Sequence, residues 1–292
     1  MPLYCHPDGE TSGWYQFKVF DQMKTRLLFC TVLLCFSALS GFAQNAFTHP
    51  WAGKKVAYLG DSITDARNRE SETKYWGYLE KWLDMTSYCY GQNGRQWIQL
   101  LGQIERLHAE HGDDVDAIMI FMGTNDFNSA IPVGEWFTEE KGSVNADGHI
   151  VERIRRVTCF DENTYRGRIN IVLDTLKKIY PTKQIVMLTP IHRSRASWGQ
   201  WNVQPTEDWQ NGCGEYLDAY VQSIKEASNI WSVPVIDTHA LSGLFPMHEE
   251  QKGYFFSDTD RLHPNDEGQK RLALCLYYQL AALPCVMEAP DM

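Results

Sequence analysis

Four short polar motifs in the sequence contain the residue types that nucleophilic catalysis needs. In chain order they are Gly60–Asp65, Gly91–Gly94, Gly123–Asp126 and Asp260–Pro264. The hydroxyl of Ser62 is a weak nucleophile and becomes effective only when a base lies within hydrogen-bond reach. His263 is the candidate base, and Asp260, three residues earlier, could fix the imidazole tautomer and stabilise the imidazolium. These residues therefore predict a catalytic site of Ser62, His263 and Asp260.

A tetrahedral intermediate at this serine would also need hydrogen-bond donors for its negatively charged oxygen. The backbone N–H groups of Ser62 and Gly94 and the side-chain amide of Asn125 could supply them. Glycine at position 94 lets the backbone approach a substrate without a Cβ in the way. Each motif alone is compatible with an ordinary turn or cap, so the hypothesis depends on their combination.

Short apolar runs alternate with amphipathic helical stretches along most of the chain. The apolar runs predict strands at Val56–Leu59, Ser87–Tyr90, Ala117–Met122, Gln184–Leu188 and Val233–Ile236. The helical spacings predict helices at Lys74–Met85, Gln96–Glu110, Tyr165–Tyr180, Glu215–Ala227 and Asp266–Ala282. Such alternation indicates a parallel sheet with helices on both faces, whose ligands bind beyond the carboxyl ends of the strands. Two long segments, Phe127–Glu162 and Ile191–Gly214, interrupt the alternation and are expected to be functional loops.

Together, the four motifs resemble those of the GDSL-type, or SGNH, hydrolase family. They read GDSIT at Gly60–Thr64, YGQNG at Tyr90–Gly94, GTND at Gly123–Asp126 and DRLHP at Asp260–Pro264. The resemblance implies a flavodoxin-like three-layer α/β/α sandwich with a central parallel sheet of about five strands. It also implies Ser–His–Asp catalysis without metal or cofactor, and hydrolysis of esters or thioesters. The glycine motif lacks the family's usual initial asparagine, where this chain has Tyr88 or Tyr90, and this departure weakens any transfer of substrate.

The N-terminal region has the pattern of a secretory signal peptide. Leu27–Ala43 is apolar or small and uncharged, Lys24 and Arg26 precede it, and it ends in small residues. We expect residues 1–43 to be an N-terminal extension and signal peptide, and residues 44–292 to form one hydrolase domain. The protein would then be secreted or periplasmic, without stable membrane insertion after cleavage. A membrane anchor and a lipidated Cys35 are the alternatives.

Composition and charge argue against several other classes of protein. The 292 residues are 43% hydrophobic and carry a net charge of -10, so we expect a globular protein that does not bind nucleic acid. The five cysteines after residue 43 are widely spaced, which is typical of neither a zinc framework nor a disulfide scaffold. His108 and His111 lie three residues apart but lack a positioned third ligand, so we expect no metal. The oligomeric state does not follow from the sequence.

The second long segment is rich in tryptophan, amides and arginine. Aromatic faces beside polar groups suit a sugar ring, because the apolar face stacks and the hydroxyls find polar partners. The side chains predicted to contact substrate are Asp61, His192, Arg193, Trp198, Trp201 and, as an opposite wall, Trp136. The alternative is that the tryptophans only fix a long loop to the body, and that His192 has a structural role there.

These features predict a secreted serine esterase that hydrolyses O-acetyl, or similarly short-chain acyl, esters on carbohydrate through an acyl-enzyme. The substrate would be a glycan ester or another small-molecule ester. A lipid-directed esterase, lysophospholipase or thioesterase could use the same catalytic residues. A glycan-binding protein with a vestigial site is a third hypothesis, against which the complete set of motifs argues.

Overall fold

The computed structural model describes residues 48–287, and the predicted extension and signal peptide at residues 1–43 lie outside this range. The strands are β1 (Lys55–Gly60), β2 (Thr86–Cys89), β3 (Ala117–Phe121), β4 (Phe137–Ala146), β5 (His149–Thr158), β6 (Gln184–Leu188), β7 (Ala196–Ser197), β8 (Val203–Gln204) and β9 (Val235–Ile236). The α-helices are α1 (Tyr75–Leu83), α2 (Leu100–His111), α3 (Thr124–Asn128), α4 (Tyr165–Ile179), α5 (Leu217–Trp231), α6 (Thr238–Leu241) and α7 (Asp266–Leu280). Single 3₁₀ turns occur at Trp97–Gln99 and Glu249–Gln251.

The central sheet contains five parallel strands in the order β2-β1-β3-β6-β9, and each of them coincides with a predicted strand. β1 pairs with β2 on one side and with β3 on the other, where Gly60 lies opposite Phe121. The direction of strand addition therefore reverses between β1 and β3, as in flavodoxin-like sheets, which confirms the predicted fold. Ser62 follows β1 and Asn125 follows β3, so both residues lie at this switch point.

Alternate residues of β1 enter two separate cores, one on each face of the sheet. Val56 and Tyr58 pack with α1 and α7, whereas Ala57 and Leu59 pack with α2, α4 and α5. Burial on both faces explains why the strands are continuous apolar runs rather than alternating ones. Among residues 48–287, no helix is long and apolar enough to cross a membrane.

The segment Phe127–Glu162, predicted as a loop, instead contains a β-hairpin. β4 and β5 pair antiparallel over their whole length, and Asp147 and Gly148 form the connecting turn with φ angles of 52° and 82°. An Asp-Gly pair with two positive φ angles is typical of a two-residue hairpin turn. Most side chains on both faces of the hairpin are exposed, so its sequence shows no apolar face that would indicate strands.

The turn that carries Ser62 packs against the backbone of neighbouring strand ends. A Cβ on Gly60 would lie 2.8 Å from the carbonyl oxygen of Phe121. A Cβ on Gly91 would lie 2.7 Å from the Cβ of Thr64 and 2.8 Å from the backbone nitrogen of Asp65. A side chain at either position would displace the serine turn, so this close approach requires glycine.

Replacing Gly91 by alanine should lower the free energy of unfolding by about 1–3 kcal/mol, because the new methyl group overpacks the serine turn. Gly102 in α2 is the matched control, since nothing lies within 4 Å of a Cβ built there. Gly102→Ala should raise the free energy of unfolding by about 0.5–1 kcal/mol through its helix propensity. Urea unfolding measures both changes, and equal stability of the two variants would contradict the close packing at Gly91.

Candidate active site

The structure brings Ser62, His263 and Asp260 into one hydrogen-bonded chain. Ser62 Oγ lies 2.7 Å from His263 Nε2, and His263 Nδ1 lies 2.7 Å from Asp260 Oδ2. All three side chains are buried. Ser62 belongs to the turn after β1, whereas Asp260 and His263 lie in the loop before α7, so the tertiary fold assembles the chain.

Four N–H groups meet the carboxylate of Asp260. Oδ1 accepts hydrogen bonds from the backbone N–H groups of Leu262 and His263, both at 3.0 Å. Oδ2 accepts one from His263 Nδ1 and one, at 3.0 Å, from the indole Nε1 of Trp198. Burial alone would raise the pKa of Asp260, but the hydrogen bond and charge of His263 and the backbone donors outweigh it and hold this pKa below the usual value. The carboxylate is therefore ionised at neutral pH.

Asn125 lies in the first turn of α3, beside the glycine motif. Its Nδ2 donates to the carbonyl oxygen of Arg95 at 3.0 Å and lies 3.4 Å from Asp61 Oδ2. Gly94 has a φ of 73°, and nothing lies within 4 Å of a Cβ built on it, so its backbone borders open space. Asn125 therefore lies beside Arg95, which follows Gly94, and beside Asp61, which precedes Ser62.

Asp61, predicted as a substrate contact, is buried and interacts with protein groups. Its Oδ1 accepts a hydrogen bond from the backbone of Ile63 at 3.0 Å, and its Oδ2 faces the amide of Asn125. Burial raises the pKa of Asp61 to about 6 although the Ile63 N–H and the charge of His263 favour the ionised form. The structure thus corrects this assignment, because the carboxylate supports the serine turn and the Asn125 amide.

Asp65 is a site residue that the sequence analysis missed. Its Oδ2 accepts a hydrogen bond from the backbone N–H of Asn93 at 2.9 Å, next to Gly94. Both of its oxygens also bind the Arg67 guanidinium, at 2.9 Å each. Burial alone would raise the pKa of Asp65, but the hydrogen bonds from Arg67 and Asn93 hold it below the usual value. Asp65 therefore connects the serine motif to the glycine motif, and its place in GDSITD was the available signal.

Arg193 and His192, also predicted as substrate contacts, hold the segment after β6 in place. The Arg193 guanidinium is buried and donates to Gln204 Oε1 at 2.6 Å and to Thr124 Oγ1 at 3.2 Å. His192 Nδ1 lies 2.5 Å from Glu207 Oε1. Protein groups bind both terminal nitrogens of this guanidinium, whereas its Nε has no hydrogen-bond partner among the described residues. Because the side chain is fully buried, the structure does not place Arg193 as a substrate contact. His192 takes the structural role that the sequence left open.

The three predicted tryptophans have different surroundings. Trp198 lies with its ring centroid 5.5 Å from that of His263 and is 39% exposed. Trp201, in the turn between β7 and β8, is 91% exposed. Trp136, directly before β4, packs instead against α4 and α5. Its Nε1 donates to Glu226 Oε2 at 2.8 Å, and the Arg166 guanidinium lies over its ring. Trp136 therefore does not form the predicted opposite wall.

Within residues 48–287, no group of three or more His, Cys, Asp and Glu side chains is arranged to hold a metal ion. His111 stacks on Tyr88, and His108 packs edge-on against Tyr180. All five cysteines of this part of the chain are free thiols.

Comparison with known protein families finds one family that matches most of the chain. The model of the GDSL-like lipase/acylhydrolase family matches residues 58–271, which include all four motifs. Among curated proteins, none matches the sequence.

Solved structures share the fold at low sequence identity. A protein from Lactobacillus plantarum is 22% identical with a TM-score of 0.63, and the match covers 80% of this chain and 98% of that one. A possible lipase from Chitinophaga pinensis is 17% identical with a TM-score of 0.59, covering 79% and 98%. A member of the lipolytic protein G-D-S-L family from Veillonella parvula is 15% identical with a TM-score of 0.50, covering 78% and 99%.

The pKa of Asp61 predicts how Asp61→Asn changes the pH dependence of stability. The folded protein keeps the proton of Asp61 up to about pH 6, whereas an unperturbed carboxyl group releases it near 3.8. Wild-type stability therefore falls as pH rises through this window, and a variant without the titrating group escapes that loss. The difference in free energy of unfolding, Asp61→Asn minus wild type, should therefore increase by up to about 3 kcal/mol from about pH 4 to about pH 7. Urea unfolding at both pH values measures it, and a difference independent of pH would contradict the raised pKa.

Proposed function

The chain belongs to the GDSL-like lipase/acylhydrolase family and hydrolyses ester bonds, and we propose that Ser62, His263 and Asp260 carry out this reaction on a short-chain acyl ester of a carbohydrate. The observation that carries the proposal is the continuous chain of two 2.7 Å hydrogen bonds from Ser62 through His263 to Asp260. Its geometry is that of a nucleophile, a general base and a carboxylate that orients the base.

In the proposed reaction, Ser62 Oγ attacks the ester carbonyl while His263 Nε2 takes the hydroxyl proton. Asp260 keeps the Nδ1–H of the imidazole directed at itself, so that Nε2 is free to accept, and it stabilises the imidazolium that forms. His263 then gives the proton to the leaving alcohol as the carbon–oxygen bond breaks. Water, deprotonated by His263, attacks the acyl-enzyme and releases the acid and Ser62.

The negatively charged oxygen of each tetrahedral intermediate would be held by three N–H donors. These are the backbone N–H groups of Ser62 and Gly94 and the side-chain amide of Asn125. The Asn125 Nδ2 contact with Asp61 is 3.4 Å, which is longer than an ordinary N–H···O hydrogen bond. This N–H is therefore the one that a substrate oxygen can take over, while the bond to Arg95 keeps the amide in place.

A short acyl group is proposed because the segment beside the nucleophile that contains Trp198 and Trp201 is polar between its rings, whereas a site for a long acyl chain favours runs of apolar side chains.

A carbohydrate alcohol is supported by the exposed turn between β7 and β8. Trp198 and Trp201 lie in this turn, and the exposed amides Gln200 and Asn202 lie beside them. An open aromatic face with neighbouring amides suits a sugar ring, whereas a lipid chain favours an enclosed apolar channel. We also propose that the protein is exported, supported by the basic and apolar pattern of residues 24–43.

Replacing Ser62 by alanine should lower kcat for p-nitrophenyl acetate by about 10³-fold or more, since the variant lacks the nucleophile. Ser228→Ala is the control, because this serine lies in the last turn of α5, away from the site, and should leave kcat unchanged. Unchanged hydrolysis by Ser62→Ala would refute the catalytic assignment. A wild type that binds glycans but hydrolyses no ester would favour the glycan-binding hypothesis.

Replacing Trp201 by alanine should raise KM for an acetylated oligosaccharide by about 3- to 10-fold, as expected for the loss of one aromatic contact. KM for p-nitrophenyl acetate, which has no sugar, should stay the same. Tyr278→Ala is the control, since this tyrosine is also exposed but lies near the end of α7. Higher kcat/KM for long-chain than for acetyl p-nitrophenyl esters would instead favour a lipid-directed esterase.

A further inference from the structure

We infer that Trp198 is a positioning residue of the hydrolytic site, whose indole N–H fixes the carboxylate of Asp260 and moderates its attraction for the protonated His263. The inference rests on the proposed catalytic roles of Asp260 and His263. It does not depend on the identity of the sugar or of the acyl group.

The first argument is the sharing of one oxygen atom. Trp198 Nε1 at 3.0 Å and His263 Nδ1 at 2.7 Å both bind Oδ2 of Asp260, the oxygen that faces the imidazole. The other oxygen is saturated by two backbone N–H groups of the same loop. Trp198 is thus the donor that reaches Asp260 from a different segment of the chain, and it acts on the oxygen used by the base.

The second argument is that backbone pairing places the indole. The segment of Trp198 runs antiparallel to the segment of Asp260, with a β-bridge between Ala196 and Asp260. Ser197 N–H donates to the carbonyl oxygen of Thr259 at 2.8 Å, directly beside this bridge. Trp198 N–H in turn donates to the carbonyl oxygen of Asn202 at 2.9 Å, which closes the turn. The backbone at Trp198 is therefore held on both sides, although the side chain is 39% exposed.

The physical effect follows from the charge on the shared oxygen. An N–H donor stabilises the ionised carboxylate and spreads the negative charge of Oδ2 over a second hydrogen bond. Without this donor, Asp260 attracts the protonated imidazole more strongly, and deprotonation of the base requires a higher pH. The carboxylate also loses one of the contacts that define its orientation towards His263.

The other charged side chains that interact with Asp260 and His263 are Asp61, in the turn after β1, and Arg193, in the segment after β6. Arg261, next to Asp260 in the chain, pairs with Glu249. We expect them to keep their positions when Trp198 is replaced, because their side-chain hydrogen bonds go to other residues. A shift of the pH profile therefore reports the lost indole N–H.

The test compares Trp198→Phe with wild type in kcat and KM for p-nitrophenyl acetate over the pH range of activity. The acid limb of kcat/KM should move to higher pH by about half a unit to one unit, the size that one hydrogen bond to a carboxylate supports. At neutral pH, kcat should fall while KM changes by less than about twofold, because the indole acts through the catalytic groups.

Two further variants separate the N–H from the ring. Benzothienylalanine at position 198 keeps the shape of tryptophan but has sulfur in place of N–H, so it should shift the acid limb as Trp198→Phe does. Trp82→Phe in α1, a tryptophan with nearly the same exposure (38%) as Trp198, should leave the profile unchanged. An acid limb at the wild-type pH in both position-198 variants would overturn the inference, even if kcat falls, since packing alone would then explain the loss. Failure of the catalytic assignment is recognised separately, by hydrolysis that survives Ser62→Ala.

Discussion

The buried carboxylate of Asp260 is the group on which the arrangement of the site depends. An ionised carboxylate removed from water is strongly unfavourable unless hydrogen bonds and an opposite charge replace its hydration. Here the loop before α7 folds back so that its own N–H groups bind one oxygen, and a second segment reaches the other. The need to satisfy one buried charge therefore joins the histidine loop to the segment after β6 and leaves His263 directed at Ser62.

The two sides of the Ser62–His263 pair are positioned by different physical means. The serine turn is positioned by close backbone packing. Gly60 lies against the end of β3, and Gly91, just after β2, lies against Thr64 and Asp65 of the turn, so neither position has room for a side chain. The histidine side is set by polar contacts between the loop before α7 and the segment after β6. The packed core of the sheet determines where the strands end. The hydrogen bonds of Asp260 and His263 then set the distances between the side chains at those ends.

The sequence was informative wherever a local pattern reports burial. The strands β1, β3, β6 and β9 were predictable because they are short apolar runs, whereas the edge strand β2 is more polar and partly exposed. Three of the four motifs were predictable because they follow strand ends, and the fourth because it precedes the last helix. The hairpin of β4 and β5 was missed since exposed strands carry no apolar face, although Asp147-Gly148 signalled its turn.

The roles of individual polar side chains depend on contacts that no local pattern encodes. Arg193 was assigned to substrate because polar groups beside aromatic rings suit a sugar, and an arginine is rarely fully buried. Its actual partners include Thr124, which lies 69 positions away in the sequence. Tertiary structure also determines the surroundings of the other two residues. Asp61 is buried by the turn that it supports, and Trp136 lies directly before the hairpin strand β4.

The turn between β7 and β8 carries one tryptophan that contacts the site and one that is exposed to solvent. Trp198 points inward to Asp260, whereas Trp201, three residues later, projects into solvent. The inner end of the segment is fixed by the buried Arg193 and by pairing with the loop of Asp260, so substitutions there act on the catalytic geometry. The outer end makes few contacts with the rest of the protein, so its residues can vary without disturbing His263. The tip of this turn can therefore vary while its base keeps the carboxylate in place.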